Sequence, residues 1–450
     1  MDLIYVINKI ISDIKGRSAI NSVFWILVEK FIKILLGLFL LSYLTRYLGV
    51  DNYGLYSYVI SFVAVLSPLS SLGLEETLVQ QFISNKKDSF KIISTSFYLR
   101  VIGFFLMFLI TIIILYFSNL NQFTNTLIIV FTTATFFSSF AVIEYFLLSV
   151  NAAKEIFIAR TISYFLNFLF VIFCICFQKS LIWIIGAFLL QNITYAGLLL
   201  FNSRKMIKFN FYIFDYKIAR KLLLLSAPLM FSAFSFYLQS NIDQIMLKEM
   251  LGLTELGMYS TAFNLLSMFV FIPNIFQRAF FPSIINLKNK SKNLFYSRIQ
   301  DFYKFLFILF LFSVLPFIFF SNQISYFFFG NEFSETPFIL SILSFRLLYV
   351  YFNVARVTFF ISIGMQKFIL FTIFISSIIN IILNYYLIPI YGVYGAIFST
   401  YLSSFLDIFF LDVFFKKSRQ NSKMIFNSIF SFWKISFLNP SNEKSNNNRC

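Results

Sequence analysis

Histidine is absent from this chain. The usual imidazole base and the commonest metal ligand are therefore missing, which removes the ordinary basis for zinc chemistry and for most hydrolases. Of its three cysteines, Cys174 and Cys176 lie inside an apolar run and Cys450 ends the chain, so they read as packing thiols rather than a disulfide framework. Charge is also scarce, at 12% of residues, where a soluble globular chain carries about a quarter. With 59% hydrophobic residues and a mean hydropathy of +0.82, a water-soluble fold is excluded. No G-x-x-x-x-G-K-[ST] run occurs, so the chain has no ATP-hydrolysing P-loop of its own.

What is present is nearly continuous apolar sequence, and the pattern predicts an all-α integral membrane protein of about twelve spans. The predicted spans are 22–44, 54–79, 92–117, 126–149, 160–177, 181–201, 222–247, 258–281, 302–321, 338–362, 368–388 and 392–414. Residues 1–20 place Leu3, Ile4, Ile7, Ile10, Ile11 and Ile14 at helical spacing opposite polar residues, as an interfacial amphipathic helix would. Residues 21–201 then form an N-terminal six-helix bundle, 202–221 a cytoplasmic linker, 222–415 a C-terminal six-helix bundle and 416–450 a cytoplasmic tail. Within that tail, 424–438 is too short to cross and reads as interfacial, and 441–450 reads as disordered.

The formal charge of +17 sits in short loops rather than on a soluble face, so it does not point to nucleic acid. SNKKDSFK (84–91), NSRKMIKFN (202–210), NLKNKSKN (286–293) and KKSRQNSK (416–423) all fall on one side of the predicted topology. That side is the cytoplasm, which places both termini there. The 68 phenylalanines rise together with Ile, Asn and Lys, a mark of genome composition rather than of an aromatic site.

An internal repeat divides the chain. LGVDNYGLYS (48–57) and LGLTELGMYS (251–260) share L-G-x-x-x-x-G-x-Y-S, and each opens a span after a long apolar run. The paired glycines, Gly49 with Gly252 and Gly54 with Gly257, suit tight turns, and Tyr56 and Tyr259 suit interfacial anchoring. Six spans per half keep both halves in one orientation, related by a pseudo-twofold axis along the membrane normal. Two such lobes around a central cavity are an alternating-access layout.

Four segments then carry a family likeness: YLTRYLGVDNYGLYSY (43–58), SAPLMFSAFSFYLQSNIDQIMLKEMLGLTELGMYS (226–260), RAFFPSI (278–284) and LIPIYGVYGAIFST (387–400). They resemble the polysaccharide-exporting branch of the multidrug, oligosaccharidyl-lipid and polysaccharide exporter superfamily, specifically bacterial O-antigen repeat-unit flippases. The resemblance implies two six-helix bundles around a polar, often cationic cavity in the inner membrane. It also implies an undecaprenyl-diphosphate-linked oligosaccharide as substrate, no cofactor, and a polysaccharide polymerase and chain-length regulator as partners. Asp243 matches the acidic position of the family's seventh helix and Pro228 its proline, while Glu29 is only a rough counterpart of the first-helix acid used by drug-exporting relatives.

A sugar diphosphate needs a wet, cationic path, because moving its charge into hydrocarbon costs tens of kcal/mol by Born estimates. The cations predicted at membrane depth are Lys30, Lys33, Arg100, Arg278, Arg346 and Arg356, with Lys33, Arg100 and Arg346 the deepest. Arg278 and Arg356 lie nearer the inner span ends, where a long side chain can also snorkel to the interface. Glu29 and Lys33 stand at i and i+4, a spacing that also allows mutual neutralisation. Candidate ion-coupling carboxylates are Asp243, Glu144, Glu29 and Asp407. Two other functions compete: a multidrug exporter of the same superfamily, which favours an acidic cavity, and a membrane glycosyltransferase or O-antigen polymerase, which needs a large outer loop.

Overall fold

The computed structural model describes residues 17–85, 88–204, 206, 214–288, 291–415 and 417–434. The expected N-terminal interfacial helix and the tail from 435 onward lie outside the described residues, apart from the helical start at Arg17. Among the described residues every regular element is helical.

The first helix, α1 (Arg17–Ser71), carries the first two expected spans as arms broken at Gly49, where φ is 67°. The second arm stops earlier than expected, because Leu72 and Gly73 take positive φ and the chain re-enters as α2 (Leu74–Ser84). There follow α3 (Ser89–Phe117), then α4 (Gln122–Ala134) and α5 (Ala141–Ser149) joined by one 3₁₀ stretch, α6 (Ala153–Cys176) and α7 (Leu181–Ser203). Then α8 (Tyr216–Met250) begins six residues before the predicted span, where the Asp215 carboxylate accepts from the backbone N–H of Lys217 and Ile218. Next are α9 (Leu253–Ser267), α10 (Phe271–Lys288), α11 (Lys292–Phe319), α12 (Ser321–Phe329), α13 (Thr336–Leu343), α14 (Arg346–Ile363) and α15 (Gln366–Tyr391). The last are α16 (Val393–Phe405), a π-helical turn into α17 (Leu411–Phe414), and α18 (Arg419–Phe430). Among the described residues from Ser89 onward ten helical stretches are long and apolar enough to cross a membrane, and the other two expected spans lie on α1 and α2. Phe105, Leu109, Phe312 and Phe319 are among the many large apolar side chains left exposed, as a lipid-facing sheath requires.

At two of the prolines a hydroxyl meets the carbonyl that the ring leaves free. Pro68 frees the carbonyl of Ala64, which accepts from Ser67 Oγ at 2.7 Å. Likewise Pro273 leaves the Phe269 carbonyl open, and Tyr351 OH donates to it at 3.4 Å. These two bends therefore cost less than a proline whose freed carbonyl has no partner.

The chain divides into two compact units: Lys15–Thr261 with Phe328–Glu332, and Ala262–Phe327 with the residues from Phe333 onward. The first unit, here the N unit, thus includes α8 and the start of α9. Both copies of the L-G-x-x-x-x-G-x-Y-S motif lie in it and pack on each other reciprocally. A β-carbon on Gly54 would lie 2.2 Å from the Leu253 carbonyl oxygen, and one on Gly257 2.2 Å from that of Val50. Val50 and Leu253 are themselves equivalent positions of the repeat, as are Asp51 and Thr254, whose side chains share a 2.6 Å hydrogen bond. The first glycine of each copy makes the turn (Gly49 φ 67°, Gly252 φ 111°), whereas the second lets two backbones touch. The tyrosines depart from expectation: Tyr56 and Tyr259 are buried, Tyr56 against Tyr53 and Phe188, and Tyr259 donating to Asp243 Oδ2 at 3.2 Å. Close glycine contact draws the neighbouring rings inward, away from any interface.

Gly257→Ala is expected to lower stability in detergent by about 1–3 kcal/mol, the cost of forcing a methyl against fixed backbone. Gly186→Ala, whose β-carbon meets nothing within 4 Å, serves as the neutral control. Thermal unfolding of the two variants side by side checks this; equal midpoints would mean the crossing is loose.

Candidate functional site

Within the N unit, charge gathers where α1, α5, α6 and α7 meet. Arg160, two turns into α6, is the hub. Its Nη2 lies 2.6 Å from Glu144 Oε1, its Nη1 3.6 Å from Glu29 Oε1, and its Nε donates to Tyr195 OH at 3.1 Å. Tyr195 OH donates in turn to Glu144 Oε2 at 2.5 Å. Both carboxylates are buried, Glu29 at 4% and Glu144 at 8% exposure. Lys30 stands 3.7 Å from Glu29 Oε2. The Glu29–Lys33 pair that the i, i+4 spacing allows does not form: among the described residues no carboxylate lies within ion-pair distance of Lys33, whose exposed side chain sits over the Tyr164 ring at 5.5 Å. Three cations thus meet two carboxylates, and the excess charge rests on the accessible one. Sequence reasoning missed Arg160 because it stood at the first residue of a predicted span, although α6 begins at Ala153 and carries it to membrane depth.

The second unit, here the C unit, ties its corresponding helices together with the opposite balance. Arg356 on α14 is fully buried and bonds Asp412 twice, through Nε to Oδ2 and Nη2 to Oδ1, each at 2.9 Å. Its Nη2 also donates to Thr372 Oγ1 on α15 at 2.9 Å, and its Nη1 lies 3.1 Å from Asp407 Oδ1. Tyr303 OH donates to Asn421 Oδ1 at 2.6 Å, and Asn421 Nδ2 donates to Asp412 Oδ2 at 2.8 Å. Arg356 therefore neither snorkels nor faces open space; its Nε and Nη2 are hydrogen-bonded, while Nη1 has the ion-pair contact to Asp407 without a hydrogen bond among the described residues. Asp412, which carries the bidentate pair, was passed over at the very end of the last predicted span.

The other predicted residues are separate from these clusters. Arg100 is buried at 3% exposure, donating to Tyr145 OH at 3.1 Å and Ser138 Oγ at 3.5 Å, while its Nε has no hydrogen-bond partner among the described residues. Arg346 is half-buried with its guanidinium 4.5 Å from the Phe263 ring centroid. Arg278 is exposed in the middle of α10. Asp243 is buried and accepts from Tyr259 OH. Each of the four coupling candidates, Asp243, Glu144, Glu29 and Asp407, already holds a partner.

With these clusters placed, comparison with known proteins identifies the family. The profile described as "Polysaccharide biosynthesis protein" matches residues 19–288. The chain belongs to the polysaccharide biosynthesis protein family. A curated relative, the capsular polysaccharide biosynthesis protein CapF of Staphylococcus aureus, is 26% identical over 199 residues, 44% of this chain. That match spans 50% of the relative's own length. Among solved structures, the lipid II flippase MurJ in an inward closed conformation has a TM-score of 0.67 at 20% identity and covers 92% of each chain. An inward-facing multidrug resistance MATE family transporter of the MOP superfamily has a TM-score of 0.65 at 14% identity, covering 88% of this chain and 96% of its own. This member of the polysaccharide biosynthesis protein family thus has the all-helical membrane fold expected from its spans, a fold it shares with a lipid II flippase and a MATE family transporter.

Proposed function

We propose that this chain is a flippase for undecaprenyl-diphosphate-linked oligosaccharide, an O-antigen or related polysaccharide repeat unit. It would carry the head group from the cytoplasmic to the periplasmic leaflet of the bacterial inner membrane. The observation that supports the reading is the cationic excess around Arg160: Lys33 is exposed, lies within the apolar first arm of α1, and has no carboxylate at ion-pair distance among the described residues. Arg160 holds Glu29 and Glu144, so Lys33 is left to meet a phosphate oxygen. Lys30, half committed to Glu29, is its neighbour for the second phosphate. A cationic excess is opposite to what an exporter of organic cations requires. A polymerase is disfavoured by the short connections on the predicted outer side, such as 118–121, 177–180 and 330–335, which leave no room for a catalytic loop.

With the cell interior negative, outward movement of an anionic head group is favoured by roughly 2.3 kcal/mol per charge per 100 mV. Coupling to an ion through Glu29, Glu144, Asp243 or Asp407 would in addition require the incoming proton or cation to displace an existing partner. A delivered repeat unit would then meet a polymerase and a chain-length regulator on the far side.

The test is reconstitution of the purified chain in vesicles carrying a fluorescent polyprenyl-diphosphate oligosaccharide, with an imposed potential. Label should become accessible on the opposite leaflet faster than in empty vesicles and faster with the potential oriented to push anions across. Transport of a cationic dye but not of the lipid-linked sugar would move the assignment to a drug exporter.

A further inference from the structure

Past the last span the chain turns at Phe415 and forms α18, twelve residues long. At 1.5 Å per residue it is about 18 Å, too short to cross a bilayer core of about 30 Å. Its inward face is polar and fixed in place. Asn421 bonds Tyr303 and Asp412, the Ser418 hydroxyl donates to the Asp412 carbonyl at 2.8 Å, and Gln300 Nε2 donates to the Met424 carbonyl at 2.8 Å. Beyond the helix, Phe432 packs on Phe307 and Lys304 Nζ donates to the Lys434 carbonyl at 2.5 Å. All these α11 partners fall between Gln300 and Phe307, about 10 Å of that helix by its rise. So α18 crosses α11 near one level instead of running along it.

The opposite face has a composition of its own. Arg419, Lys423, Phe426, Asn427 and Phe430 are exposed and lie within about a third of the helix circumference at 3.6 residues per turn. Exposed Lys417, Trp433 and Lys434 extend the same character beyond both ends. From Val413 to Lys434 the sequence contains no Asp or Glu. Exposed Val413, Phe414 and Phe415 connect this face to the apolar surface of the last span. Aromatic rings beside lysine and arginine, with no opposing carboxylate, complement one surface: the phosphate level of a leaflet rich in anionic lipid.

We propose that the outward face of α18 and the segment to Lys434 form a docking surface for anionic phospholipid headgroups. Phe426, Phe430 and Trp433 would sit at the acyl boundary, and Lys417, Lys423 and Lys434 would reach the phosphates. Asn421 joins this helix to the Asp412–Arg356 pair, so headgroup binding also braces the buried network of the C unit.

The test uses the full chain with Trp25 and Trp183 replaced by Phe, which leaves Trp433 as the single tryptophan. It is reconstituted in mixed phosphatidylcholine and phosphatidylglycerol vesicles in which one or the other lipid is brominated beside its carbonyl groups. Trp433 should be quenched severalfold more by brominated phosphatidylglycerol at equal mole fraction. The preference should vanish in K417Q/K423Q/K434Q, which alters exposed charges only and leaves Asn421 and Arg419 in place. Quenching by neither lipid, equal quenching by both, or a preference that survives the triple substitution would each overturn the proposal; the first of these would point to a protein partner for the same face.

Discussion

Arg356→Met is expected to destabilise the protein by about 3–5 kcal/mol, because breaking a buried ion pair strands its partner in low dielectric. Two partners are stranded here. Asp412 loses both bonds of its bidentate pair and Asp407 loses its cation, while Thr372 loses its donor. None of these side chains has access to compensating solvent, since Arg356 and Asp412 are fully buried and Asp407 is 4% exposed. The measurement is the yield of folded protein in mild detergent and its unfolding midpoint. Removing the charges together in R356M/D407N/D412N should recover part of the loss, because no charge is then left buried without its partner. If the single variant were as stable as the parent, Arg356 would have to be reaching the interface after all.

Lys33→Gln should leave folding intact and reduce export by about 10- to 100-fold, the worth of one hydrogen bond to a charged group at roughly 1.5–3 kcal/mol. Lys33→Arg should restore most of it, since a guanidinium binds phosphate as well. Arg160→Gln differs in kind: it leaves Glu144 and Glu29 buried without their cation, so both stability and export should fall. Surface polysaccharide from complemented strains, read beside the amount of protein in the membrane, separates the two effects. Full export with Lys33→Gln would remove that side chain from the substrate path.

The spans were legible because burial in lipid demands about twenty apolar residues in a row, and hydropathy reads that directly. The repeat was legible for a related reason: Gly49 and Gly252 sit at positive φ, and Gly54 and Gly257 sit where a β-carbon has no room, so the pattern persists in both copies. Partnerships were harder to read. Hydropathy gives depth along a helix but not which neighbour a side chain meets: the i, i+4 spacing allows Glu29 to pair with Lys33 along α1, whereas it lies beside Arg160 on α6 and Lys30. Arg160 and Asp412 were overlooked for one cause, that a charge at a span boundary looks like a loop residue. In both cases the helix continues past the predicted edge or packs another element against it, and the charge ends up inside. Tyr56 and Tyr259 were read as interfacial anchors from residue type alone, which carries no information about a glycine-mediated crossing beside them.

The proposed flippase would move a lipid-linked sugar diphosphate outward across the membrane. Its most direct test is extraction of lipid-linked saccharides from a deletion strain, with their leaflet assigned by a membrane-impermeant glycan reagent. Repeat units should accumulate and remain unreachable from the periplasm, and the parent gene should restore their export while Lys33→Gln should not. Repeat units that the reagent reaches in the deletion strain would contradict the account.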